Sequence, residues 1–189
     1  MKVFCCDIET SGLDFFRNEI LSLSCSYVDH EKELGSIELT FRPESKFWDD
    51  GAEKVHGISK FAAARFDDRK ESSKKFLDFI QSFPRAPMVC HALKMRGLFD
   101  AIFLEAHYEL MDQRFELYKS FSRYDSTLMM MKELHKQGTF QLEKFSLDYL
   151  CKQFGIELVH HDAKSDRQAC QQLYWIAQKH LGGTDDSLS

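Results

Sequence analysis

Hydrophobic positions follow a two-residue period through the first 43 residues and a helical period through much of the rest. Residues 2–8 form a short apolar run, VFCC within it, that ends in acids and then Thr10, Ser11 and Gly12, the composition of a strand running out into a turn. ILSLSCSYV at 20–28 alternates as a second strand, and GSIELTFRP at 35–43 as a third that stops at Pro43. The intervening HEKELG predicts a hairpin with Gly35 in its turn, so strands two and three are antiparallel. After the polar and aromatic loop ESKFWDD, a short helix is predicted around 50–56, with Gly57 as its stop signal.

From 68 to 83, Phe76, Phe79, Ile80 and Phe83 fall on one stripe of an amphipathic helix that Pro84 and Pro87 terminate. MVCH at 88–91 suits an interior strand, and LFDAIFLEAHYEL at 98–110 has helical spacing, so a strand feeds a helix here. RFELYKSF at 114–121 alternates as a further short strand, and helices are expected at 126–136, 142–153 and 166–180. Strands first and helices after predict an α/β or α+β layer structure with a mixed sheet. Residues 1–181 read as a single domain, and 182–189, GGTDDSLS, as a disordered tail.

Composition narrows the class. With 43% hydrophobic and 29% charged residues the chain is globular rather than disordered, collagenous or coiled-coil, and its 17 Phe are the one clear excess. Against 25 Lys plus Arg stand 30 Asp plus Glu, a formal net charge of −5, which argues against affinity built on a broad basic surface. No run approaches the length of a membrane span, and the opening MKVFCCDIET turns acidic where a signal peptide would stay apolar. A soluble cytoplasmic protein is the expectation, with no membrane partner. Cys5, Cys6, Cys25, Cys90, Cys151 and Cys170 lie mostly in apolar segments without metal-ligand spacing, and are read as reduced and buried.

The chemistry-bearing candidates are acids. Asp7 and Glu9 are two apart at a strand end, so both side chains leave one face, and a divalent ion is the simplest relief of their repulsion. The bland alternative is that strands commonly end in charged turn residues. In HHDAKSDRQAC at 160–170, Asp162 is a candidate helix N-cap, with Ser165 as the alternative, and Asp166 falls in the first turn. There a carboxylate binds metal, or simply complements the helix dipole. Asp100 stands among Phe99, Ala101, Ile102, Phe103 and Leu104, where an unpaired buried charge would be expensive.

Taken together, CDIETSGLD at 6–14, LFDAIFL at 98–104 and HDAKSD at 161–166 resemble the three motifs of the DEDD-superfamily 3′–5′ exonucleases, histidine subtype. VHGIS at 55–59 and DSTL at 125–128 match further segments of the members that are similar to the proofreading epsilon subunit of bacterial DNA polymerase III. The resemblance runs from about residue 3 to 177 and implies a ribonuclease-H-like fold with a mixed five-stranded sheet flanked by helices. It implies two Mg²⁺ or Mn²⁺ ions on Asp7, Glu9, Asp100 and Asp166, with Asp7 bridging them, and His161 as the general base five residues before Asp166. It also implies removal of nucleoside monophosphates from the 3′ end of single-stranded DNA, with RNA trimming, a noncatalytic nucleic-acid-binding role or a polymerase-subunit partner as alternatives.

The candidate substrate-side residues are Thr10, Gly12, Leu13, His56, His91 and Phe99, with Lys94 and Arg96 added from their charge and position. The second motif departs from the usual pattern, because Ala92 rather than Asn follows His91 and LKMRGL lengthens the path to Phe99. Lys94 and Arg96 in that insertion are candidates for phosphate contacts in place of the Asn. Leu13, Phe15 and Phe16 are candidates for stacking on terminal bases, although a Phe-rich chain also needs Phe in its core.

Overall fold

A computed structural model describes residues 1–30, 32–91, 98–159 and 162–182. In chain order it contains β1 (Lys2–Thr10), β2 (Ile20–Asp29), β3 (Lys32–Thr40), α1 (Asp50–His56), α2 (Lys60–Ala63), α3 (Arg69–Gln81) and β4 (Ala86–Cys90). There follow α4 (Phe99–Glu109), α5 (Arg114–Ser120), β5 (Phe121–Ser126), α6 (Thr127–Lys136), α7 (Leu147–Phe154) and α8 (Ala163–His180). Among the described residues the strands form one sheet in the order β3-β2-β1-β4-β5. β1, β2 and β3 pair antiparallel, while β4 pairs parallel with β1 and with β5, which makes the sheet mixed and ribonuclease-H-like as expected.

β1 is apolar on both faces because it is central. Phe4, Cys6 and Ile8 enter the larger core with Phe76 and Ile80 of α3 and with Phe103, Leu104 and Tyr108 of α4. Val3 and Cys5 point the other way, onto Val28, Val89 and the buried Cys170 and Tyr174 of α8. Behind α8, Leu173 and Ala177 pack with Met131 and Leu134 of α6 and Leu150 and Cys151 of α7. Each large apolar side chain so covered is worth roughly 1.5–3 kcal/mol, so burial holds the sheet between helices on both faces.

Local signals place most boundaries. Asp68, Ser126 and Ser146 cap α3, α6 and α7 through side-chain oxygens, and Gly57 closes α1 in the left-handed conformation at φ 72°. Two expectations are corrected. Gly35 is not in the hairpin turn: the strands reverse at Asp29–Lys32, with His30 at φ 54°, and Gly35 lies inside β3 opposite Tyr27. A Cβ there would stand 2.7 Å from the Phe83 ring, so close approach of an aromatic explains the glycine.

The 114–121 segment is mostly helical. It turns as α5 to bury Leu117 and Ser120 on one side, leaves Phe115 69% exposed, and becomes strand only at Phe121. All six cysteines are buried thiols, and no disulfide joins them. No helix among the described residues is long and apolar enough to cross a membrane. The expected tail beyond Gly182 lies outside the described residues.

Candidate metal centre

β1 runs two residues further than its apolar pattern, and that extension shapes the site. Alternation sends Asp7 and Glu9 out on the face of Val3 and Cys5, the face that α8 covers. At the start of α8, Asp162 is the N-cap, its Oδ2 accepting from the Ser165 amide at 3.0 Å, and Asp166 follows in the first turn. The helix thereby lowers Asp166 onto the end of β1. Asp7, Glu9 and Asp166 each present a ligand oxygen, and these atoms all lie within 4.8 Å of one another.

Asp100 arrives from a different element, the first turn of α4 beyond the end of β4, and is 4% exposed. Burial pushes its carboxyl up to about 6, although hydrogen bonds from its own backbone amide, the Cys90 thiol and the Ile8 backbone favour the charged form. Burial raises Glu9 to about 8, with the charges of Asp166 and Asp100 adding to the effect. Asp7 is raised well above the usual carboxylate range, first by burial and then by the charges of Asp100, Glu9, Asp166 and Asp162. Four acids thus share the carboxyl end of two parallel strands, where open α/β sheets place their ligands. Their charge calls for protons or for cations, and a donor set of hard carboxylate oxygens fits Mg²⁺ or Mn²⁺.

The chain leaving β1 is held tightly. The Thr10 hydroxyl donates to the Gly12 carbonyl at 2.6 Å, and the Ser11 amide donates to the Glu19 carbonyl at 2.9 Å. Gly12 sits at φ 156° with the Asn18 amide beneath it, where a Cβ would come within 2.5 Å of Asn18 Oδ1. Glu19 accepts from the Glu44 and Ser45 amides at 2.8 and 2.7 Å and pairs with Arg69, which in turn donates to His107 Nδ1 at 3.2 Å. His107 Nε2 then meets the Ser73 hydroxyl at 2.7 Å, and burial, aided by the Arg69 charge, lowers His107 to about 3. A neutral imidazole is therefore part of the strut that ties the turn to α3 and α4.

Of the substrate-side candidates, Thr10, Gly12 and His56 gather at this turn. His56 is buried, its Nε2 donating to the Thr10 carbonyl at 3.1 Å while Nδ1 accepts from the Ile58 amide at 3.0 Å. Leu13 is 45% exposed beside them. His91 is engaged by protein groups at both ring nitrogens: Nδ1 with Thr127 Oγ1 at 2.7 Å, Nε2 with the Phe145 carbonyl at 3.0 Å. Burial lowers it to about 4, so it is a neutral tie between β4 and the start of α6. Phe99 packs against Phe103 with ring centroids 4.7 Å apart. His161, Lys94 and Arg96 lie outside the described residues.

Sequence reading missed the Glu19–Arg69 pair, whose members are 50 residues apart with no pattern to link them. It also missed Arg167, which in sequence is only a basic residue beside Asp166 and in the fold is 1% exposed.

No protein-family model matches the chain, and no curated protein matches it. Solved structures do. Exonuclease I from Methylocaldum szegediense superposes with a TM-score of 0.80 at 19% identity, covering 95% of this chain and 40% of that one. E. coli exonuclease I in complex with a dT13 oligonucleotide gives 0.82 at 17% identity, covering 96% and 42%, and the zinc-bound E. coli complex with single-stranded DNA gives 0.77 at 18%, covering 94% and 40%. This chain spans about two fifths of the length of those proteins. Over nearly all of its own length it has the fold that the exonuclease I structures contain.

Proposed function

We propose that the chain is a metal-dependent 3′–5′ exonuclease of the DEDD superfamily, histidine subtype, that removes nucleoside monophosphates from single-stranded DNA. The observation that carries this reading is the convergence of Asp7, Glu9 and Asp166 within 4.8 Å, with the buried Asp100 close enough to raise the pKa of Asp7 and Glu9. The motif spacing supports it independently of side-chain geometry. So does the fold shared with exonuclease I, for which complexes with single-stranded DNA are known.

Two Mg²⁺ or Mn²⁺ ions on these carboxylates would supply positive charge to the attacking water and to the leaving 3′ oxygen. Asp7, which lies beside Glu9 and Asp166 and feels the charge of Asp100, would be the central ligand of the set. Glu9 would hold metal on the side toward the Thr10–Leu13 turn, and Asp100 and Asp166 would complete the donor set. His161, five residues before Asp166, takes the proton from the attacking water, a task suited to an imidazole with a free pKa near 6.5. The braced turn at Thr10–Gly12 holds the terminal nucleotide, with Leu13 against its base. A net charge of −5 fits a short grip on one strand end better than a long phosphate track.

Matched 5′-labelled single-stranded DNA and RNA oligonucleotides, incubated with Mn²⁺, Mg²⁺ or EDTA, test the reading. The expected result is a ladder shortening from the 3′ end, faster on DNA, abolished by EDTA, and abolished by His161→Ala while Mn²⁺ binding persists. Absence of cleavage in either metal, or cuts internal to the strand, would refute it.

A further inference from the structure

We propose that Arg167 is a positioning residue that fixes the rotation of the first turn of α8 and so presents Asp166 to Asp7 and Glu9. The apolar anchors of α8, Ala169, Cys170, Leu173, Tyr174 and Ala177, all lie C-terminal to Asp166. Its first turn, Ala163 to Asp166, has no fully buried residue and only Ala163 as an apolar one, so hydrophobic packing sets the depth of the helix and leaves the angle of that turn to polar contacts. Lys164 reaches Glu38 on β3 at 3.3 Å, but both are more than half exposed, and such pairs hold little.

Arg167 differs. Its side chain is 1% exposed and passes between α8 and the sheet, Nε donating to Ser24 Oγ at 2.9 Å and Nη1 to Glu33 Oε2 at 3.1 Å. Ser24 is the register partner of Asp7 across β1 and β2. The guanidinium therefore locks α8 onto β2 and β3, with Ser24 directly beside one of the metal-site acids on the same face of the sheet. Glu33 is itself held, its Oε1 accepting from the Ser36 hydroxyl at 2.7 Å. A rigid fork joining three elements is what a site needs when its acids come from separate elements and repel one another. Arg167 follows Asp166 directly in α8, so its effect on Asp166 is exerted through the helix.

The purpose of that positioning rests on the nuclease reading, but the geometry can be tested without it. In EDTA at pH 8, Asp166→Asn relieves crowding with Asp7 and Glu9 and raises the melting temperature of the parent by several degrees. In an Arg167→Met background the first turn of α8 loses its ties to Ser24 and Glu33 and Asp166 is held less closely against Asp7 and Glu9, so the same substitution gains less than half as much. Additive effects would overturn the proposal, whether or not the chain cleaves DNA. If Arg167→Met does not fold, Ser24→Ala, which removes only the Nε contact, carries the same cycle. A parallel Mn²⁺ titration is expected to show affinity reduced at least about tenfold in Arg167→Met and partly restored in Arg167→Lys, the scale typical of outer-shell partners of metal ligands. A parent that shows the coupling but neither binds Mn²⁺ nor cleaves would sink the nuclease reading and leave the positioning role standing.

Discussion

Glu9→Gln keeps the shape of the side chain and removes its charge from a cluster that lacks a balancing cation in the metal-free protein. Glu9 ionises near 4.5 in an unfolded chain and near 8 in the fold, chiefly because it is buried, with Asp166 and Asp100 adding repulsion. The folded form thus keeps a proton that the unfolded form has released. The corresponding stability is full below about 4.5 and is lost as pH rises through about 8. At 1.36 kcal/mol per pH unit the loss is at most about 5 kcal/mol, and about 2–4 kcal/mol once water at this half-buried site and the neighbouring acids share the strain.

Glutamine avoids that loss. In EDTA at pH 8 the variant should therefore melt higher than the parent by roughly 4–16 °C, taking 2–4 °C per kcal/mol for a chain of this size. The gap should close toward pH 4.5. Addition of Mn²⁺ at a thousandfold excess over Kd should reverse the order, because the parent then gains about 4.1 kcal/mol while the variant has lost a ligand. Thermal melts followed by circular dichroism from pH 4 to 9, with EDTA or Mn²⁺, decide the matter. A variant no more stable than the parent in EDTA at pH 8, or one that gains as much from Mn²⁺, would refute the reasoning.

Other substitutions probe the supports of the site. Gly12→Ala places a methyl within 2.5 Å of Asn18 Oδ1 at φ 156° and should cost about 1–3 kcal/mol in chemical denaturation while slowing cleavage, since the turn after Glu9 must shift. Arg69→Met leaves Glu19 buried without its cation and should cost about 3–5 kcal/mol, measured the same way; a loss below 1 kcal/mol would mean the amides of Glu44 and Ser45 suffice. The native protein should react with none of its six thiols on mixing with an aromatic disulfide reagent and with all six after denaturation, because every cysteine is buried and burial raises the Cys5, Cys6, Cys90 and Cys170 thiols well above their usual range.

Period was a sufficient guide wherever one face of an element met one core. The stripe of α3, the helix after MVCH and the capping acid of α8 all follow from local pattern, and Asp7 and Glu9 share a face because strands alternate. Pattern failed where tertiary contact chose the residue. RFELYKSF alternates like a strand, but the molecule needed a helix there to bury Leu117 against the main core, and the true edge strand β5 is the polar FSRYDS. Gly35 looked like a turn residue and is a strand glycine because the Phe83 ring passes over it.

The site divides along the same line. Four acids were legible through spacing and resemblance, whereas the parts that hold them were not. Nothing in the order of residues says that Arg167 runs inward to Ser24, or that Glu19 and Arg69 meet through a fold of the chain. Such contacts are set by which helix crosses which strand, and they exist only once the layers have assembled.

The most direct measurement couples metal binding to turnover. Protein stripped with EDTA is titrated with Mn²⁺, bound metal and mononucleotide release from 3′-labelled single-stranded DNA being followed together for the parent and for Asp7→Asn. The predicted result is that release rises with occupancy in the parent and that Asp7→Asn loses both. A parent that binds no Mn²⁺, or an Asp7→Asn variant that binds and cleaves like the parent, would contradict a metal centre built on Asp7, Glu9 and Asp166.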